Sequence, residues 1–175
     1  MPLLVRFSLN LPRKDTTSSA TVTLQMAPIP THSETRTLPY SAAQMYALVA
    51  EVDKYPEFLP WTAAARIRSR TPQGASEVML ADLVISFKVF REKFGSKVVL
   101  HPDAFQIDTE YLDGPFKYMK SNWHFTDCEG GCEVAFFVDF EFRNAILQKV
   151  IGVVFNEAMH RVVAAFEKRA QQLYT

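Results

Sequence analysis

Between residues 76 and 142 apolar side chains recur at every second position; from 144 to 173 they recur at every third and fourth. A period of two puts alternate residues on opposite faces of a strand, and a period near 3.6 puts them on one side of a helix. Met79, Ala81, Leu83, Ile85, Phe87 and Val89 share one face, with Asp82, Ser86 and Lys88 on the other. Phe94, Ser96, Val98 and Leu100 continue the pattern to a turn at His101-Pro102-Asp103. Phe105, Ile107, Thr109 and Tyr111 follow, ending at Asp113-Gly114-Pro115. Trp123 and Phe125 mark a further strand, and Val134, Phe136, Val138, Phe140 and Phe142 alternate against Asp139 and Glu141. The chain then changes period once. Leu147, Val150, Ile151, Val154, Ala158, Val162, Phe166, Ala170 and Leu173 form one stripe, and Asn144 is a suitable N-cap. An antiparallel sheet with one apolar face must cover that face. Only the terminal helix is long enough to do so. The expectation is an α+β domain: a curved antiparallel sheet of six to seven strands gripping one long C-terminal helix.

Upstream, residues 35–40 read as a strand and 41–50 as a short helix capped by Ser41, with Met45, Tyr46, Leu48 and Val49 at helical spacing. Tyr55, Phe58, Leu59 and Trp61 then crowd around Pro56 and Pro60. Proline fixes φ and donates no hydrogen bond, so this connection is stiff and kinked. Leaving its large side chains in water would forgo about 1.5–3 kcal/mol each, so they are expected to cover something apolar. Residues 64–70 alternate weakly, with Arg66, Arg68 and Arg70 on one face, and Thr71-Pro72-Gln73-Gly74 reads as a turn.

Residues 1–30 differ from the rest. Thr16-Thr17-Ser18-Ser19 and four prolines break any periodicity, and Arg6, Arg13 and Lys14 outnumber the one acid, Asp15, in a faint likeness to a transit peptide. They are expected to form a flexible tail or targeting segment, with Met26 as an alternative translation start, ahead of a single domain over 31–175.

Nineteen basic and nineteen acidic residues cancel, which argues against the basic excess of a nucleic-acid binder. No segment offers the roughly 20 apolar residues of a membrane span, so a soluble protein is expected. Cys128 and Cys132 flank Glu129-Gly130-Gly131 and read as free thiols at a hairpin, without metal-ligand company. His32, His101, His124 and His160 are scattered, with His124 on the polar side of its strand. Neither an HExxH helix, a G-x-S-x-G elbow nor a glycine-rich phosphate loop occurs. Catalytic residues are therefore expected to be none, and the acidic run Glu51, Asp53 and Glu57 reads as a solvated face. Arg161 stands beside the apolar seam between Ala158 and Val162, from where its guanidinium either snorkels outward or reaches a polar group.

Three ordered segments resemble the coenzyme Q-binding proteins of the START-like superfamily, which overlap with the bacterial ribosome association toxins. They are Val52 with Tyr55-Pro56-Glu57-Phe58-Leu59-Pro60-Trp61, Gly114-Pro115-Phe116 with Trp123 and Phe125, and Ala165-Phe166-Glu167 with Arg169-Ala170 and Leu173-Tyr174. Arg91-Glu92-Lys93-Phe94 is similar too, and the likeness runs from about Thr31 to the C-terminus. It implies the helix-grip fold, two short helices after the first strand, and an internal cavity suited to a ubiquinone-type lipid. On that resemblance Tyr55, Phe58, Trp61, Phe87, Phe94, Phe116, Trp123, Phe140, Val150 and Val154 become cavity residues, and Arg161 reaches the quinone head group. The implied role is non-catalytic, with no catalytic cofactor. The implied partners are a polyprenyl quinone and, transiently, a membrane surface: the bacterial inner membrane from the cytoplasm, or the matrix side of the mitochondrial one. The toxin likeness implies ribosomal subunits instead, with Arg66, Arg68 and Arg70 as candidate phosphate contacts. A cyclase/dehydrase-like enzyme is the third reading.

Overall fold

Short hairpins leave little choice of topology, and consecutive strands pair in chain order. In the computed structural model, which describes residues 31–174, β2 (Thr62–Gln73), β3 (Ser76–Phe87), β4 (Phe90–His101), β5 (Gln106–Asp113), β6 (Phe116–Cys128) and β7 (Gly131–Phe142) form an antiparallel meander. The first strand, β1 (Thr31–Leu38), crosses to pair with β7. The seven-stranded order is β1-β7-β6-β5-β4-β3-β2. The readings of residues 1–30 lie outside the described residues.

Bulges curve the sheet, at Thr62/Ala64 and Ile67/Ser69 in β2, at Gly95/Ser96 in β4 and at Phe116/Tyr118 in β6. At Gly95 a side chain has no room, because a Cβ there would lie 2.2 Å from the Arg68 guanidinium and 2.8 Å from the Asp113 carboxylate.

Three helices cover the concave face. In α1 (Ala42–Ala50) Ser41 caps the first turn reciprocally: its hydroxyl accepts from Gln44 N–H, and the Gln44 side chain accepts from Ser41 N–H. Met45, Leu48 and Val49 of this helix are buried. A 3₁₀ turn over Val52–Lys54 leads into α2 (Tyr55–Phe58). The long α3 (Ala145–Tyr174) starts where the sequence places it: the Asn144 carboxamide oxygen accepts from the N–H groups of Ile146 and Leu147 at 2.9 and 3.1 Å.

Local expectations fail at element ends. Val89 belongs to the β3–β4 turn rather than the strand and is 89% exposed, because Lys88 takes a left-handed φ of 54° that reverses the chain. Pro72 lies inside β2 instead of a turn; β2 is an edge strand, where a missing N–H costs no ladder bond. The first strand begins at Thr31, earlier than residue 35, and Tyr40 packs against Tyr174 instead of extending it. On α3 the apolar arc is wider than one stripe. Phe155, Val163, Phe166 and Ala170 make the tightest contacts, while Ile151, Val154, Ala158 and Val162 stay half-buried about one position around the helix.

Candidate functional site

The half-buried side of α3 faces space rather than side chains. Between it and the concave sheet lies a cavity of about 310 Å³. Strands β3 to β7 form its floor, α3 its roof, and Leu59-Pro60-Trp61 one wall. The proline pair explains the wall: Pro60 ends α2, and Trp61 takes a φ of 62°, swinging its indole edge-on to Phe87 at 5.4 Å. Phe116 sits among Phe94, Phe140 and Phe142, with ring centroids 4.5–5.6 Å apart. Trp123 stacks on Phe136 at 4.1 Å. Aromatic contacts at these spacings stiffen the wall as well as bury area.

The lining is apolar except for a few hydroxyls and two indoles. Tyr55 donates from its hydroxyl to the Val49 carbonyl at 2.6 Å, and burial pushes its phenol well above the usual tyrosine range. Ser96 donates to the Ala81 carbonyl at 3.4 Å. Thr62, Thr109 and Ser121 complete the hydroxyls, and none of the described lining residues is an acid, a base or a histidine.

Of the expected cavity residues, Tyr55, Trp61, Phe87, Phe94, Phe116, Trp123, Phe140 and Val154 line this space. Three do not. Phe58 turns its ring to Phe166 at 5.3 Å, with the Arg169 guanidinium over that ring 5.4 Å from its centroid. Val150 lies one step around the helix from Ile151 and falls off the cavity side. Arg161 points outward and pairs with Glu157 one turn earlier at 2.9 Å, because its position lies on the solvent side of the seam. Phe136, Phe155, Met119 and Met159 line the cavity unforeseen. Phe136 shares its strand face with Phe140, a signal that was present; Phe155 sits off the predicted stripe and gave none.

Charged groups work elsewhere. Glu57 receives Arg169 at 2.6 Å and so ties α2 to α3, while Glu51 and Asp53 are exposed as expected of a solvated face. Arg68 pairs with Asp82 and Asp113 at 3.1 and 3.5 Å, and Arg70 with Glu77 at 2.7 Å. His32 of β1 bonds Glu34 at 2.9 Å, and His160 approaches the same carboxylate at 3.7 Å. His124 is exposed, and His101 bonds Ser76 and Asp108. Among the described residues no group of three His, Cys, Asp or Glu could hold a metal ion, and no helix is long and apolar enough to cross a membrane.

Comparison with known proteins adds four findings. The sequence profile of a family described as polyketide cyclase/dehydrase and lipid transport matches residues 38–167. A ribosome association toxin, RatA, of Rickettsia prowazekii is 39% identical over 142 residues, covering 79% of this chain and 94% of the relative. A mitochondrial coenzyme Q-binding protein, COQ10 homolog B of Xenopus laevis, is 31% identical over 148 residues, 82% of this chain and 59% of that protein. Among solved structures, a START superfamily protein from Mycobacterium smegmatis superposes with a TM-score of 0.68 at 19% identity, covering 82% of this chain and 98% of the other.

Proposed function

Because the chain belongs to the polyketide cyclase/dehydrase and lipid transport family and has the helix-grip fold of START proteins, we propose that it binds a polyprenyl quinone of the ubiquinone type in the cavity beneath α3, without transforming it. The observation that carries this reading is the cavity itself: enclosed on three sides, walled by aromatic rings, and lined without acid, base or histidine. Its volume of about 310 Å³ lies at the low end of the range for small-molecule sites. It therefore takes the quinone ring and the start of the prenyl chain, while a longer tail leaves through the opening. Residues 46–49 and 55–61 act as the gate, with the protein docked at the membrane surface where quinone resides: the bacterial inner membrane from the cytoplasm, or its mitochondrial counterpart from the matrix.

Mass spectrometry of organic extracts tests this on protein purified gently from a quinone-producing host. A stoichiometric prenyl quinone is expected, and Val154→Asp or Phe140→Asp should abolish it by placing a charge in an apolar site. Lipid recovered undiminished from both folded variants would overturn the reading.

The name of the Rickettsia relative favours a second reading, contact with ribosomal subunits. Of the arginines that would serve it, Arg68 and Arg70 are already committed to carboxylates, which weakens their reach for phosphate. Sucrose-gradient profiles at low salt decide it: added protein that leaves subunit association unchanged removes this reading.

A further inference from the structure

Three of the cavity's hydroxyls form a contiguous strip. Thr109 of β5 and Ser121 of β6 are direct cross-strand partners, and Ser96 of β4 lies diagonally from Thr109, two residues before Val98, the Thr109 partner. Directly opposed side chains stand about 5 Å apart at Cβ and diagonal ones about 7–8 Å, so the Thr109–Ser121 pair spans about the width of one six-membered ring and Ser96 lies beyond it. Apart from the Tyr55 and Thr62 hydroxyls and two indole N–H groups, the rest of the lining is hydrocarbon or aromatic. Ser96 spends its proton on the Ala81 carbonyl, but the Thr109 and Ser121 hydroxyls have no hydrogen-bond partner among the described residues. Tyr111, the cross-strand partner of Ser96, adds a buried hydroxyl without a partner, its ring edge-on to Phe116.

Strand interiors that face a packed core seldom carry unsatisfied hydroxyls, since each costs free energy without return. Here those of Thr109 and Ser121 face open volume. From this geometry we infer that Thr109 and Ser121, backed by Ser96, are the head-group subsite: they donate to acceptor oxygens of a neutral ring, and the cavity rejects lipids with a charged head. The rejection follows from the lining, which offers no cation to a carboxylate or phosphate and no carboxylate to an amine. A desolvated charge without a partner is far more costly than an unfilled hydroxyl. The indole N–H groups of Trp61 and Trp123 are further donors and leave that sign unchanged. This inference rests on the reading of the cavity as a ligand site and adds which end of the ligand is held, by which groups.

The test compares three probes on the whole protein: a ubiquinone with two isoprene units, the oxygen-free hydrocarbon farnesene, and myristate at pH 8. Ubiquinone is expected to bind at least tenfold tighter than farnesene, and myristate not to compete. Thr109→Val keeps the shape of the side chain and Ser121→Ala removes only the oxygen. Each should weaken ubiquinone about two- to tenfold while leaving farnesene unchanged, which also shows the variants are folded. Farnesene binding as tightly as ubiquinone, myristate competing, or variants that bind ubiquinone like the wild type would each overturn the subsite and leave the cavity reading standing. A wild-type protein that takes none of the three probes would overturn both.

Discussion

Burial alone would raise the Glu34 carboxyl, but hydrogen bonds and charge from Arg36 and His32 outweigh it and hold the group below its ordinary value of 4.5. A carboxylate with a lowered folded value contributes stability above its unfolded value and loses it as the pH falls through the folded one. Glu34→Gln should therefore narrow the difference in unfolding free energy between pH 7 and pH 3, read from urea titrations at both; an unchanged difference would remove Glu34 from the acid response. The two cysteines separate just as clearly. Cys128 is exposed, whereas Cys132 is fully buried and its thiol is pushed up to about 11, by burial first and the nearby Asp127 charge second. Native protein at pH 7.5 should take one equivalent of iodoacetamide quickly and a second only in denaturant, as thiolate supply and access both require. At this scale the sequence was an uneven guide. Phe140 and Trp123 reach the cavity because strand alternation fixes their face, whereas Arg161 and Phe58 depend on helix rotation and on partners over a hundred residues away, such as Arg169 for the Phe58 region.

Each element shows which end signals are legible. Asn144 caps α3 as its residue type suggests, and Asn144→Ala should cost about 1 kcal/mol in urea unfolding. Gly131 opens β7 at a φ of 155°, and a Cβ there would sit 1.9 Å from the Leu38 carbonyl oxygen. The contact is backbone to backbone, so no side chain can move aside. Gly131→Ala should destabilise the protein by about 1–3 kcal/mol, and Gly130→Ala, where a Cβ meets nothing, by less. Strand cores could be read because one face is apolar; strand ends could not, since the chain reversals at Lys88 and Trp61 use left-handed residues that no glycine announces. The aromatic connection at 55–61 was legible as a cover, and it does wall the cavity.

For the whole molecule, architecture followed from the succession of periods, because one helix and one curved sheet have few ways to bury their faces. The cavity did not follow: volume is what side chains fail to fill, and no spacing rule encodes it. Short-chain ubiquinone at 100 times its Kd should add about 2.7 kcal/mol and raise the melting midpoint by about 5–10 °C. A midpoint that stays put at that concentration would contradict ligand binding to the native state. The pairing of β1 with β7 also has a consequence in time. Residues 31–38 must wait for 132–139 before their ladder can form, and α3 comes after all seven strands in chain order. Such distant pairings slow folding to the millisecond-to-second range. During synthesis α1 and α2 emerge before the meander, but the cavity side of the sheet stays without its roof until the last helix follows, and apolar surface left open in that interval favours aggregation.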